Sequence, residues 1–309
     1  MPIMDGQRWC HVCGSKMEME AIQESSKIKE IILTLLKCLA YYLVYYFVSY
    51  VVKWIYVGYC ARMCHLSGLP PYSGGEYSEA FWAIFSKSYS YVMIIAYMVM
   101  FLVYVVWFIS RNKDPLRELG VKKFSPAHIP GMAAFGLSIQ AVTSITIAII
   151  SMLAGPIGEK THQSYDNMLG SETTIPVFIF MAVATPIIEE IIFRGLIHGR
   201  MRRVLPAPAA VVMSSVCFGL CHGEFYRVVY ATLLGVVLAV FCEKYDSILP
   251  GIVIHMAFNS MSFVYEFLPN SDLVYLSIYF IAMGVALAAA VCFFAKSSPS
   301  ERKTINETL

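Results

Sequence analysis

The chain has 309 residues, of which 58% are hydrophobic and only 14% carry a charge. An average soluble domain has about 25% charged residues, so this composition predicts an integral membrane protein. The net charge of +2 is too small for the basic surface that a nucleic-acid-binding protein needs, and we therefore expect no nucleic acid among its partners.

The amino-terminal segment, residues 1–29, is polar and lacks the short apolar core and cleavage site of a secretory signal, so we expect it to persist in the mature protein. It contains one CxxC pair, Cys10 and Cys13, which resembles half of a bacterial zinc ribbon. A closed structural zinc site needs four ligands, and no second CxxC pair follows in the sequence. Incidental thiols or a degenerate ribbon are the favoured interpretation, and a zinc site completed by His11 or by a partner is the alternative.

The hydrophobic residues of the chain are grouped into long segments. A membrane-spanning helix needs about 20 mostly apolar residues, and a window of that length finds eight candidates. The predicted spans are 31–52, 89–109, 130–154, 174–197, 207–222, 228–242, 247–265 and 273–295. The sequence thus predicts an all-α polytopic membrane protein with about eight transmembrane helices in one bundle.

Lysine and arginine are unevenly distributed between the loops. They precede the first predicted span and follow the second, fourth and eighth, whereas the alternate loops hold few. Short cytoplasmic loops carry the excess of these residues, so we expect both termini in the cytoplasm. The chain is accordingly divided into a cytoplasmic segment 1–29, a transmembrane domain 30–296 and a polar tail 297–309.

Six polar or ionisable side chains interrupt the apolar spans. They are Glu189, Glu190, Arg194, His222, His255 and Asn259. A charged side chain near the middle of a bilayer costs about 2.5–3.5 kcal/mol on insertion scales, so residues of this kind are rare and usually functional. We therefore expect the chemistry of the protein at these positions.

The segment ATPIIEEIIFRG contains the two acids. Glu190 and Arg194 have i, i+4 spacing, so they share one helical face and can form an ion pair, while Glu189 points about 100° away. Because adjacent carboxylates repel and desolvation disfavours the charged form, the unpaired Glu189 is the candidate general base. Pro186 lies within a turn of Glu189, where it leaves a backbone carbonyl without its donor and permits a kink.

The two histidines follow in separate spans. His222 ends the segment FGLCH, in which Phe218 lies one turn earlier and could shield the imidazole from lipid. His255 and Asn259, in HMAFN, share a helical face. An imidazole and an amide can both donate hydrogen bonds to a developing negative charge, so this pair suits the stabilisation of an oxyanion.

The segments EEIIFR (189–194), FGLCH (218–222) and HMAFN (255–259) resemble the EExxxR, FxxxH and HxxxN motifs of the CPBP intramembrane proteases. This family is named for CAAX-processing and bacteriocin-processing proteins and is also called Abi. The order and the spacing of the motifs fit the family, and the resemblance covers approximately residues 177–263. It implies a protease core at about 174–266 within the transmembrane domain.

The resemblance implies a hydrolase that cleaves peptide bonds within the bilayer. Glu189 and His222 would activate a water molecule, and His255 and Asn259 would stabilise the oxyanion. The supporting side chains would be Glu190, Arg194 and Phe218.

Members of this family have been described both as metalloproteases and as glutamic proteases. Glu189, His222 and His255 could form a His2Glu zinc site with an open position. No separate base is obvious if Glu189 becomes a ligand, so we favour a glutamic protease without a cofactor and keep zinc as the alternative.

The expected substrate is a hydrophobic or lipid-associated peptide or membrane protein, such as a prenylated C-terminus, a bacteriocin leader or a membrane-anchored protein. The motif context indicates a bacterial plasma membrane, which makes prenyl processing the less favoured of these. Two other classes stay open. A proton- or ion-coupled transporter also needs intramembrane acids and histidines, and a catalytically idle immunity or scaffold protein could keep the same fold.

Overall fold

The computed structural model describes residues 15–73, 76–110, 114–153, 174–223, 225–264 and 271–295. Cys10 and Cys13, with the half zinc ribbon predicted there, lie outside these residues. The predicted polar tail 297–309 also lies outside them. The proposed division into segments therefore stays a prediction.

Nearly all of the described residues are helical, which confirms the all-α prediction. In chain order the helices are α1 (Ser15–Leu66), α2 (Glu79–Ile109), α3 (Pro115–Glu118), α4 (Ile129–Leu153), α5 (Ile175–Met201), α6 (Ala207–Leu220), α7 (Phe225–Tyr245), α8 (Leu249–Val264) and α9 (Asp272–Ala295). The strands β1 (Tyr72–Ser73) and β2 (Glu76–Tyr77) pair in an antiparallel hairpin between α1 and α2. A 3-10 turn, Pro126–His128, precedes α4.

Every predicted span coincides with a helix, but the helices differ in length. Five of those described, α1, α2, α4, α5 and α7, are long and apolar enough to cross a membrane. Helix α6 has 14 residues and α8 has 16, which is less than the roughly 20 that a bilayer requires. The two short helices α6 and α8 are the ones that carry or precede the histidines of the predicted site.

Local signals in the sequence set several helix ends. The Ser78 hydroxyl accepts a hydrogen bond of 3.2 Å from the Phe81 N–H and so caps the start of α2. Helix α6 is followed by Gly223, whose φ of +83° belongs to the left-handed region that glycine enters without steric cost. Helix α7 begins at Phe225, so the connection from α6 is short.

Three clusters of buried apolar side chains hold the described helices together, and one of them, with Tyr56, Cys60, Cys64 and Phe81, joins only α1 and α2. The other two are larger. The first joins α1, α2, α5 and α6 through buried side chains that include Tyr45, Met100, Phe193 and Phe218. The second joins α4, α7 and α8. Helices α4 and α8 approach closely at Gly136, where a Cβ atom would overlap the backbone carbonyl of Ile254.

Candidate active site

The predicted acids lie in a part of α5 where the helix changes its hydrogen-bonding pattern. Two π-helical segments, Phe180–Ala184 and Ile191–His198, flank the α-helical residues Thr185–Glu190. Segments of π-helix are rare and occur frequently at functional sites. The two glutamates therefore end a short α-helical stretch between two irregular ones.

Pro186 explains a contact between α5 and α8. In the first π-helical segment the Thr185 N–H bonds to the Phe180 carbonyl, five positions back. The next bond in this register would join residue 186 to Met181, but proline has no N–H to donate. The side-chain amide of Asn259 donates to the Met181 carbonyl instead, at 3.0 Å. In this π-helical register the carbonyl that Pro186 frees is that of Met181, and it is bonded from the neighbouring helix.

Glu190 is the centre of a buried network of charged and polar groups. Its Oε1 atom accepts hydrogen bonds from Arg194 Nη1 at 2.8 Å and from His255 Nδ1 at 3.0 Å. The second guanidinium nitrogen, Nη2 of Arg194, donates to the Gly235 carbonyl on α7 at 3.1 Å. Glu190 and Arg194 are 0% and 2% exposed, so their charges are compensated by each other rather than by water.

Glu189 has different surroundings. Its Oε1 atom accepts a hydrogen bond of 2.8 Å from the hydroxyl of Tyr97 on α2. The hydroxyl of Tyr45 on α1 lies 3.0 Å from that of Tyr97, and because Tyr97 gives its proton to Glu189, Tyr45 is the donor in this contact. The other carboxylate oxygen, Oε2, lies 3.6 Å from His255 Nε2, which is too long for a direct hydrogen bond.

His222 lies just beyond the end of α6. Its Nδ1 atom is 2.9 Å from the Phe218 carbonyl, and a carbonyl only accepts, so the ring is protonated at Nδ1. The remaining nitrogen, Nε2, then has its lone pair available for a water molecule or a metal ion.

The Phe218 ring joins these groups. It is fully buried, and the guanidinium carbon of Arg194 lies 4.5 Å above its centre. Ring centres of His222 and His255 lie 4.9 Å and 5.6 Å from that of Phe218 in edge-on arrangements. The phenylalanine predicted to shield one histidine therefore contacts both.

The structure brings the predicted residues together to different degrees. Glu190, Arg194 and His255 are in direct contact, and Glu189 is next to His255. His222 reaches the cluster through the Phe218 ring. Asn259 donates to the Met181 carbonyl, which occupies one of the two N–H groups of its amide.

Two residues of the cluster were missed by the sequence analysis. Tyr97 lies in α2, far from the three motifs, and no local pattern distinguishes it. Tyr45 belongs to the tyrosine-rich run YYLVYYFVSY, which is typical of helix packing or of an interfacial belt. The signal that could have found them is the general one that a buried tyrosine hydroxyl needs a hydrogen-bond partner.

The side chains of the site match zinc ligands in kind but are not grouped as a metal site among the described residues. Within the described ranges, no three histidine, cysteine, aspartate or glutamate side chains are grouped as ligands of one metal ion. The two histidines have atoms that could bind a zinc ion. In His222 and in His255 the Nδ1 atom is hydrogen-bonded within the protein, so Nε2, on the opposite side of the ring, is directed away from that bond. The Glu190 bond to His255 Nδ1 also has the form of the carboxylate contact that orients metal-bound histidines.

Fold and site together define a polytopic membrane protein with a buried cluster of carboxylates and histidines between α5, α6 and α8. Residues 171–261, which include all three motifs, match the family described as type II CAAX prenyl endopeptidase Rce1-like. No solved structure matches the chain.

Two bacterial relatives are similar to the chain. The membrane-embedded CAAX protease MroQ of Staphylococcus aureus (strain USA300) is 25% identical over 183 residues, which cover 55% of this chain and 73% of MroQ. The putative membrane peptidase YdiL of Bacillus subtilis (strain 168) is 27% identical over 145 residues, which cover 44% of this chain and 59% of YdiL. The predicted resemblance to the CAAX protease family is confirmed, and the matches support a membrane protease.

Proposed function

We propose that the chain is an intramembrane endopeptidase that hydrolyses a peptide bond with water activated by Glu189 and His222. The observation that carries this proposal is the difference between two adjacent buried carboxylates. Glu190 is bound by Arg194 and by His255, whereas Glu189 is bound by a neutral tyrosine hydroxyl on one oxygen only. A carboxylate without a cationic partner in hydrogen-bond range is the better proton acceptor of the two.

In the proposed reaction a water molecule lies between Glu189 Oε2 and His222 Nε2. Both atoms accept hydrogen bonds, so they orient the two protons of the water and direct its lone pair at the peptide carbonyl. Glu189 takes one proton as the oxygen attacks, and it then returns that proton to the nitrogen of the leaving amine. The carboxylate is regenerated, and no covalent intermediate with the protein is required.

The negative charge that develops on the peptide oxygen needs donors. By family resemblance these are His255 and Asn259. The Asn259 amide retains a second N–H beyond the one that binds Met181. The Glu190 carboxylate binds His255 at Nδ1, which leaves Nε2 on the opposite side of the ring as the atom that would donate to the oxyanion.

Glu190 and Arg194 have a positioning role in this proposal. Their ion pair is fully buried, and it fixes the ring of His255 through Nδ1. The Phe218 ring packs against the same guanidinium and against both histidines, so it sets the distance between α6 and α8.

The proposed substrate is a hydrophobic or lipid-associated peptide segment, because a site among apolar helices is reached most readily by an apolar chain. MroQ is named a CAAX protease, and the matched family is that of prenyl endopeptidases. Prenylated peptides therefore belong in the test beside bacteriocin leaders and membrane-anchored segments. A bacterial plasma membrane, with both termini in the cytoplasm, is the proposed location, since both relatives are bacterial.

The test uses the purified protein in lipid vesicles with a library of hydrophobic and lipidated peptides. Wild type should cleave at least one class, and Glu189→Gln and His222→Ala should not. Glu79→Gln and His65→Ala are matched controls, because these exposed residues lie outside the cluster and should leave cleavage unchanged. Cleavage by Glu189→Gln at the wild-type rate would contradict the proposal.

A second arm separates the alternatives. Prolonged treatment with a strong chelator, followed by measurement of bound zinc, should leave a glutamic enzyme active, whereas a zinc enzyme loses activity and regains it with added metal. A transporter would move a solute or protons across the vesicle membrane without producing peptide fragments. An idle scaffold would do neither.

A further inference from the structure

Thr185 on α5 has a hydroxyl group that is buried next to the candidate active site. The residue is 5% exposed, and its Oγ1 atom has no hydrogen-bond partner among the described residues. Thr185 lies four residues before Glu189 in the α-helical stretch Thr185–Glu190, so the two side chains share one helical face. Because buried polar groups nearly always have a hydrogen-bond partner, an exception beside the proposed base indicates a role in the reaction.

Serine hydroxyls in other helices of the chain are bonded to their own backbone. A serine or threonine in a helix can donate to the carbonyl four residues before it. The hydroxyls that do so, at 2.6–2.7 Å, are those of Ser138, Ser215, Ser260 and Ser277. For Thr185 that carbonyl belongs to Met181, which accepts from the Asn259 amide instead. The proton of the Thr185 hydroxyl is therefore available to another acceptor.

Two contacts between α5 and α8 lie on either side of Thr185. Asn259 donates to the Met181 carbonyl, four residues before Thr185. His255 lies beside Glu189, four residues after Thr185. Helices α5 and α8 therefore run antiparallel at this point and pack against each other along residues 180–190. Thr185 thus lies at a level between His255 and Asn259, the two proposed donors to the oxyanion.

We propose, on the basis of the proposed function, that the Thr185 hydroxyl is a third donor to the oxyanion, beside His255 and Asn259. It forms a hydrogen bond to the peptide oxygen as negative charge develops there. Donors that are already in place in a site without bulk water stabilise such a charge strongly. The peptide oxygen only accepts, and no acceptor among the described residues competes for the Thr185 proton.

This contact acts on the rate of the reaction more than on the affinity for the substrate. A hydrogen bond to a charged oxygen is roughly twice as strong as one to a neutral oxygen. The Thr185 hydroxyl therefore lowers the free energy of the transition state more than that of the bound peptide, which raises kcat. In the free protein the buried hydroxyl is a source of instability, because its hydrogen bond with water is lost on folding.

Two substitutions at one position test the proposal. Thr185→Val replaces the hydroxyl by a methyl group of similar size, and Thr185→Ser keeps the hydroxyl. Thr143→Val is the matched control, because Thr143 is a half-buried threonine on α4 outside the cluster. The purified full-length variants are assayed in lipid vesicles with a peptide that wild type cleaves and Glu189→Gln does not. The measurements are kcat, KM and the unfolding temperature in mild detergent.

Thr185→Val should lower kcat by about 100-fold, the loss that follows removal of one donor to an oxyanion, and should leave KM unchanged. Thr185→Ser should retain most of the wild-type kcat, and Thr143→Val should behave as wild type. The unfolding temperature of Thr185→Val should equal or exceed that of wild type, because this variant no longer buries an unbonded hydroxyl. A hydroxyl that only supports the fold would give a lower unfolding temperature instead.

A wild-type kcat in Thr185→Val would overturn the proposal and leave the roles of Glu189 and His222 intact. A lower unfolding temperature of Thr185→Val would overturn it as well, because the hydroxyl would then support the fold. The same holds if Thr185→Ser is as slow as Thr185→Val, since the hydroxyl alone would not account for the rate. If wild type cleaves no peptide, the proposed function fails and this role fails with it.

Discussion

The hydroxyl of Tyr97 on α2 donates a 2.8 Å hydrogen bond to Oε1 of Glu189 on α5. Tyr45 donates in turn to Tyr97. The proposed general base is thereby fixed by a chain of two tyrosines from the first two helices, outside the segment that carries the three family motifs. Helices α1 and α2 therefore contribute to the geometry of the site and do not serve only as membrane anchors.

Replacement of Tyr97 by phenylalanine removes this hydrogen bond and keeps the ring. Hydrogen bonds to charged groups contribute about 1.5–3 kcal/mol, so Tyr97→Phe should lower kcat/KM for peptide cleavage by about tenfold or more. Tyr104→Phe is the matched control, because the Tyr104 hydroxyl is also buried on α2 but donates to the Tyr41 backbone carbonyl. Equal losses in the two variants would show that the Glu189 contact has no special role.

Asn259 and Pro186 should be coupled through the Met181 carbonyl. Asn259→Ala leaves that carbonyl without its donor and should destabilise the fold by about 1–3 kcal/mol, measured as unfolding in mild detergent. Pro186→Ala supplies an N–H at the position where the π-helical register needs one, so the cost of Asn259→Ala should be smaller in that background. If Asn259→Ala lowers the free energy of unfolding equally with and without Pro186→Ala, the two residues are not coupled and the prediction is wrong.

The same pair of variants separates two roles of Asn259. If the amide also donates to the oxyanion, the double variant should regain stability but not cleavage. Recovery of cleavage together with stability would assign Asn259 to the support of α5 alone.

Gly251 on α8 should tolerate no side chain. A Cβ atom there would lie 2.7 Å from Glu190 Oε2 and 2.9 Å from Cys242 Sγ, and Glu190 cannot move away while it binds Arg194 and His255. Gly251→Ala should therefore cost about 1–3 kcal/mol of stability and reduce cleavage. Gly284→Ala, where a Cβ atom meets nothing within 4 Å, should change neither. Wild-type behaviour of Gly251→Ala would mean that Glu190 is not held in this position.

An ion pair outside the membrane-spanning segments should give a pH-dependent signal. The Arg203 guanidinium, hydrogen-bonded to Glu118, holds the pKa of that carboxyl below its usual range. A lowered pKa means that the pair contributes stability at pH values above the ordinary glutamate pKa of about 4.3 and loses it as the pH falls through the lowered value. Because the pair is solvent-exposed, its contribution should be small.

The pKa of Glu118 is measurable by NMR titration of its labelled carboxyl carbon. Arg203→Gln should raise the midpoint towards the ordinary value. Arg117→Gln should raise it less, since Arg117 acts on Glu118 through charge alone. A larger rise in the Glu118 pKa with Arg117→Gln than with Arg203→Gln would contradict the ion pair between Arg203 and Glu118.

Features encoded within one helix were predictable from the sequence. The i, i+4 spacing of Glu190 and Arg194 predicted their ion pair, and the ion pair is present although π-helical residues follow directly. Pro186 predicted that a backbone carbonyl close to the acids lacks its helical donor. In the structure this is the carbonyl of Met181.

Features that depend on how helices pack could not be derived in this way. The contact between Tyr97 and Glu189 forms only if the two residues lie at the same depth in the bundle and face each other. Hydropathy predicts that a segment is a membrane helix, but it does not predict how that helix is rotated about its axis. Asn259 was predicted from its chemistry to donate to an oxyanion. In the structure its amide donates to the Met181 carbonyl, a contact that depends on the π-helical register of α5, and residue spacing does not reveal that register. The eight predicted spans overlap helices, yet α6 and α8, with 14 and 16 residues, are shorter than the roughly 20 residues that a bilayer requires.

The central claim is that Glu189 and His222 act on one water molecule. The most direct test is the rate of peptide cleavage, as kcat/KM, for Glu189→Gln, His222→Ala and the double variant. Residues that act as a unit are strongly non-additive, so the double variant should be no slower than the more impaired single variant. Losses that multiply in the double variant, or cleavage at the wild-type rate by either single variant, would contradict the account.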